Sequence, residues 1–317
     1  MQNNPLLHRF RKVNDTHITL KDFEFIEDIP NFLDTGNLGR EEIVSLDWYR
    51  DNAKDYDDYL PLTFQILGCD EFAERKKMYS ALDLSPGMRV LEIGCGTGRD
   101  SIFLADYLKG VGELFLQDIS LEILTIAKTK FGELPNRQVD TQFFLSSASD
   151  LPFEDDYFDR IFHFGGLNTF SNLSETLQEI VRVAKPSAKI LLGDEGFPLW
   201  LRETELYKAM SATNFHYSHV PPTEFLPDTV RNVRLEWFMG EAFYFMLFDK
   251  ATKIQTFNLD IEIPGIRGGT PRKRLEGVLE GISPDLKERA YKEAAESGLS
   301  RVEWLEQALL KKIEDSQ

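Results

Sequence analysis

Short β-rich apolar runs recur through the middle of the chain, separated by longer segments of mixed polarity, and this alternation predicts strands joined by helices in an α/β sheet. The first run is Val90-Leu91-Glu92-Ile93, and Glu113-Leu114-Phe115-Leu116-Gln117-Asp118 predicts a second strand. Thr141 to Leu145, Arg160 to Phe164 and Lys189 to Asp194 predict a third, fourth and fifth, the last preceded by a helix carrying Ile180, Val181 and Val183. Asn232 to Phe238 and Ala242 to Phe248, parted by Met239-Gly240-Glu241, read as a hairpin. Residues 1 to about 47 read as an extension, with short strands at His17 to Leu20 and Phe23 to Ile26 and a turn at Asp34-Thr35-Gly36-Asn37. From Trp48 a helix groups Tyr49, Tyr56 and Tyr59 toward one side. In the tail, Arg274 to Ile282 predicts a strand. Ser283-Pro284 then opens a helix that Gly298 closes, and a capping box from Ser300 to Glu303 opens another.

The first strand runs into Gly94-Cys95-Gly96-Thr97-Gly98-Arg99-Asp100, a turn that opens a helix and suits a nucleotide. Glycines at alternate positions remove the Cβ where the chain bends and where backbone must approach a ligand closely. Spacing narrows the choice of ligand. A dinucleotide fingerprint needs Gly or Ala at the sixth position from Gly94, where Arg99 stands, and no phosphate-cradling G-x-x-x-x-G-K-[ST] is present. An acid, Glu92, precedes the glycines, and a second acid, Asp118, ends the second strand 20 residues after Gly98.

Together with Leu151-Pro152-Phe153, Phe158-Asp159 and Val183-Ala184-Lys185-Pro186, this order resembles the class I S-adenosylmethionine-dependent methyltransferases, in particular the small-molecule branch called type 11. The resemblance implies a Rossmann-like, seven-stranded methyltransferase sheet flanked by helices, here with an N-terminal extension and an α-helical C-terminal tail. It also implies S-adenosyl-L-methionine as cofactor and S-adenosyl-L-homocysteine as its product. Gly94, Cys95 and Gly96 would lie along the methionine and ribose, Glu92 would orient the amino group, Asp118 would bind the ribose and Ile119 would pack on adenine. The family often has Asp before the alanine at 148. Ser147 occupies that position here, which moves the adenine contact to Ser147, to its neighbours beyond Ala148 or to backbone. Ala53-Lys54-Asp55-Tyr56-Asp57 resembles the helix that closes over the cofactor, so Tyr56 is either a lid residue or a packing residue. On the acceptor side, His163, Asn168, Asp194 and Glu195 fall at strand ends, where open α/β sheets bind ligands. His163 is also a candidate for the cofactor's methionine end.

The chain has 317 residues with 42% apolar composition, enough for a full α/β core with appendages. The domains expected are the extension at 1–47, a methyltransferase domain at 48–250 with a substrate lid at about 196–229, and a tail at 251–317. A net charge of −17 disfavours nucleic acid as a substrate. A small-molecule acceptor is expected instead, or else a peptide or protein docked by the appendages; the alternative to an enzyme is a cofactor-binding regulatory protein that uses its tail to bind DNA or a partner. Two cysteines and no run of about 18 apolar residues point to a cytoplasmic protein without a membrane segment. His216 and His219 lack further ligands at metal spacing. The tail's strand, helix and helix resemble a ribbon-helix-helix module, which implies a homodimer, although two glutamates on one strand face would repel DNA. A helical hairpin packed on its own core is the alternative.

Overall fold

The computed structural model describes residues 24–134, 139–253, 256–264, 269–276 and 282–315, and divides into a unit through Ile254 and a smaller one from Gln255. The larger unit is built on one sheet. Its strands are β1 (Glu24–Ile26), β2 (Ile29–Asn31), β3 (Arg89–Ile93), β4 (Glu113–Asp118), β5 (Asp140–Leu145), β6 (Phe158–Phe164), β7 (Ala184–Glu195), β8 (Val230–Phe238) and β9 (Phe243–Lys250). They lie in the order β1-β2-β5-β4-β3-β6-β7-β9-β8. Strands β3 to β7 run parallel, and β9 returns antiparallel beside β7, pairing Glu195 with Phe243. The parallel strands are buried on both faces, which is why they read as continuous apolar runs.

Among the described residues the sheet has nine strands, two more than the seven expected. The extension supplies the extra pair. Glu27 and Asp28 take left-handed conformations that turn β1 into β2, and Phe32 donates its N–H to Leu145 O at 2.8 Å along the β5 edge. His17 to Leu20 lie outside the described residues. The boundary at 47/48 falls inside a helix, α1 (Arg40–Asn52), which starts early because the Glu42 carboxylate accepts the Gly39 N–H at 2.9 Å. The single helix expected from Trp48 is in fact two. Asn52 Nδ2 donates to Trp48 O at 2.8 Å, closing α1, and α2 (Tyr56–Leu67) follows after a break.

Helices α3 (Glu71–Leu82), α4 (Ser101–Leu108) and α5 (Leu121–Glu133) bury Leu82, Leu104, Leu108 and Leu124 in one core cluster. Helix α6 (Leu173–Val183) presses Leu177, Ile180 and Val183 into the other. Polar side chains fix where these helices begin: Asp70 accepts the Ala73 N–H at 2.7 Å and Ser120 that of Ile123 at 3.4 Å. Between β7 and β8 stands α7 (Glu205–Thr213).

In the smaller unit, α8 (Pro271–Glu276) occupies part of the segment expected to be a strand. Thr270 caps it by accepting the Lys273 N–H at 3.1 Å, and Pro271 has the fixed φ that suits a first helical position. Arg274 to Glu276 are therefore helical, and the ribbon of a ribbon-helix-helix module has no strand there; residues 277–281 lie outside the described set. The two helices that follow are as expected. In α9 (Pro284–Glu296) Ala290 and Ala294 are buried, and Arg301 at the start of α10 (Arg301–Glu314) lies 4.2 Å over the Tyr291 ring.

Candidate active site

At the carboxyl ends of the parallel strands lies a cavity holding about 1150 Å³ of atom-free space, its open mouth included. The glycine turn forms its floor. Gly94, Gly96 and Gly98 have φ of 60°, 55° and 79°, and a Cβ on Gly94 would stand 3.3 Å from the His163 ring. Two strand-end side chains hold the turn in shape. Gln117 Oε1 accepts the Gly94 N–H at 3.0 Å, and Asp118 Oδ2 accepts the Gly96 N–H at 3.0 Å. The other Asp118 oxygen accepts the Ser120 N–H at 3.0 Å, so this acid organises the turn as well as facing the cavity.

Two buried polar atoms in the cavity wall lack partners: Glu92 Oε2 and His163 Nε2. Burial, reinforced by the neighbouring Asp100 charge, pushes the Glu92 carboxyl well above its ordinary range. Such a carboxyl fits a bound ammonium, which would supply the missing hydrogen bond and charge. His163 makes its other ring bond to Ile93 O, 2.7 Å from Nδ1, and burial lowers its pKa, so the ring is neutral with Nε2 as an acceptor. These features fit S-adenosylmethionine.

Sequence reasoning assigned no role to a buried ion web beneath the turn. Arg75 Nη1 lies 2.6 and 2.5 Å from the two Asp100 oxygens, and its Nε donates to Glu71 at 2.8 Å. Arg99 binds the same Glu71 through two bonds, and Tyr79 donates its hydroxyl to Asp100. A signal was present in the sequence: Arg75, Met78, Tyr79 and Leu82 follow helical spacing, and all four are buried. A lone arginine on such an apolar face needs a buried partner.

Helices α1 and α2 cover the cofactor side. Asp57 ties α2 down by accepting the Thr97 hydroxyl at 2.6 Å and a Lys130 ammonium hydrogen. This brings Tyr56 into the cavity wall, where burial and nearby Glu195 raise its pKa to about 12. Tyr49, beside it at 5.7 Å between ring centroids, also lines the cavity.

Of the acceptor-side candidates, His163 and Glu195 line the cavity, whereas Asn168 and Asp194 do not. Asp194 is fully buried and accepts the Asn168 N–H at 2.6 Å and the Glu195 N–H at 2.8 Å. Asn168 Nδ2 donates to Glu195 O at 3.0 Å. These two residues hold the Glu195 backbone and do not reach the cavity. Cys95, Ile119 and Ala148 are in the wall, but Ser147 is turned aside, 2.9 Å from the Ser149 hydroxyl.

The expected lid at 196–229 contributes no lining residue among those described. It packs one layer behind: Tyr217 stacks edge-on against Phe243 at 5.7 Å, and Phe243 faces the cavity in its place. The cover comes from α1, α2 and the turn at Met239. The His216 and His219 rings sit 5.4 Å apart, and no group able to hold a metal ion is found among the described residues.

Residues 84–251 match a family model described as a methyltransferase domain. The chain belongs to that family, and the domain is that of an S-adenosylmethionine-dependent methyltransferase. It is 31% identical over 135 residues to a demethylmenaquinone methyltransferase of Bacillus cytotoxicus, covering 43% of this chain and 56% of that one. A Bacillus cereus protein of the same name is 33% identical over 38% of this chain and 49% of its own length. The chain thus spans about half the length of the curated relatives it matches. Phosphoethanolamine N-methyltransferase 2 of Haemonchus contortus, solved with S-adenosyl-L-methionine, shares the fold at a TM-score of 0.50 and 13% identity, over 68% of this chain and 61% of that one. Among the described residues no helix is long and apolar enough to cross a membrane.

Proposed function

We propose that this protein transfers the methyl group of S-adenosylmethionine to O, N or C of a small-molecule acceptor. The observation that carries this reading is the buried Glu92 carboxyl, whose Oε2 lacks a partner, beside a glycine turn that lines the cavity. When bound, the cofactor supplies a methyl group already activated by its sulfonium, so in-line displacement needs positioning more than acid–base help. Glu92 would bind the ammonium, Asp118 the ribose hydroxyls, and Ile119 and Ala148 the adenine. Tyr49 and Tyr56 would close the cavity against water, while His163, neutral and fixed by Ile93 O, would present Nε2 at the methionine end.

The relatives are named for demethylmenaquinone as their acceptor, which supports a non-protein acceptor over a protein one. Two free thiols, Cys69 and Cys95, support a reducing cytoplasm. A homodimer through the tail rests on the exposed Val302, Leu309 and Ile313 of α10 and not on a ribbon strand. Light scattering of the chain with and without residues 272–317 tests this, and equal masses per protomer would overturn it.

The activity is tested by incubating the protein with methyl-labelled S-adenosylmethionine and a host lysate split by size. Label in the small-molecule fraction is expected. Label only in the macromolecular fraction, or none transferred, would overturn the proposal.

A further inference from the structure

Three strand ends meet on the side of the cavity away from Asp118. Phe164 ends β6, Glu195 ends β7 and Phe243 begins β9, with Glu195 paired to Phe243 in the sheet and the two phenylalanine rings 5.7 Å apart. Phe64 of α2 and Met239 complete an apolar wall in which Glu195 is the acid, while the Arg75 guanidinium, already paired with Asp100, lies 5.6 and 5.7 Å from the Phe64 and Phe164 rings.

The charges of the whole lining are unbalanced. Its guanidiniums, Arg75 and Arg99, are matched by Asp100 and Glu71. Glu42, Glu92, Asp118 and Glu195 also line the cavity, and none of them forms an ion pair among the described residues. An anionic acceptor would find no uncommitted cation there, while a cationic one would find aromatic faces and a carboxyl.

Resting on the cofactor site proposed above, we infer that the acceptor is a small amine, held as its ammonium between Phe164, Phe243 and Glu195, with Glu195 taking its proton. One N–H bond breaks and the proton passes to the Glu195 carboxylate. The freed nitrogen pair forms the N–C bond to the methyl carbon as the C–S bond breaks, its electrons staying on sulfur. The products are an N-methylammonium and S-adenosylhomocysteine, and the proton leaves Glu195 for water. Burial, the adjacent Asp194 charge and a hydrogen bond with the Asp194 carboxyl raise the Glu195 pKa well above the ordinary glutamate range, which makes its ionised form a stronger base.

Calorimetry on the full chain tests this in two stages. S-adenosylhomocysteine is titrated first, and failure to bind it would sink the cofactor reading. Then phenethylamine, 4-ethylphenol and 3-phenylpropionate are titrated into the saturated protein. Phenethylamine should bind at least about tenfold more tightly than either of the others, and Glu195→Gln should erase most of that preference. Equal or tighter binding of the phenol or the acid overturns the amine assignment, as does no binding of any probe or a preference unchanged in Glu195→Gln. Should Glu195→Gln fail to fold, Phe164→Leu replaces it, with a preference reduced about threefold expected and an unchanged one counting against the proposal.

Discussion

The two ends of the cavity are built by different means. The cofactor end comes largely from one continuous stretch, β3 through the glycine turn into α4, with Asp118 and Gln117 at the next strand end bonded directly to its amides. The end proposed for the acceptor is lined by Phe64, Phe164, Glu195 and Phe243, contributed by α2, β6, β7 and β9. A site made of backbone held by local bonds can be kept while side chains elsewhere change. A site made of side chains on four elements can be altered one position at a time. The contrast explains how a common cofactor fold serves many acceptors.

The contrast would be broken most forcefully at Arg75, whose guanidinium binds Asp100 under the turn and lies 5.6 and 5.7 Å from the Phe64 and Phe164 rings on the other side. Arg75→Leu leaves Asp100 without its cation in a buried site, and urea unfolding should show a loss of about 3–5 kcal/mol. A loss confined to catalysis, with stability intact, would mean the two ends do not share this support.

Asp118→Ala acts on the cofactor end alone and should weaken S-adenosylhomocysteine by about 1.5–3 kcal/mol in calorimetry. Unchanged affinity would show that Asp118 serves only the turn.

Protonation separates the groups further. His163 is held neutral, so its unfolded form takes a proton first as pH falls below about 6.5, and its contribution to stability grows with pH through that window. Glu92 and Glu195 behave oppositely: their folded pKa values are raised, so their contribution is full below about 4.3 and fades as pH rises through the folded values. His163→Gln removes the opposing trend. Its stability should therefore fall more steeply than the wild type's between about pH 5 and 6.5 in urea titrations, and parallel curves would refute the assignment.

The smallest effect is expected at the cover. Thr97→Val deletes the hydroxyl that Asp57 accepts at 2.6 Å and should cost about 1 kcal/mol of stability. No change would mean that Lys130 alone holds α2 to the turn.

Much of the cofactor end was legible because its signals are local. The second strand was read as Glu113 to Asp118 and lies at those residues, and the hairpin turn was read at Met239-Gly240-Glu241, where all three residues have positive φ. Errors arose where a distant contact decided the outcome. The two added strands depend on the free edge of β5, more than a hundred residues further along the chain. Asp194 and Asn168 fall near strand ends as the cavity residues do, yet Asp194 is taken up accepting the Asn168 backbone N–H and neither lines the cavity.

By itself the sequence determined the alternation of strands and helices, the glycine turn and the acids that flank it, because these follow from periodicity and from conformations only glycine adopts easily. Only the tertiary structure decided that Tyr49, Tyr56 and Phe243 close the cavity while residues 196–229 stand behind it, and that Arg75 is neutralised by Asp100. Those outcomes depend on which side chains meet across strand order and helix packing, and no spacing along the chain encodes that distance.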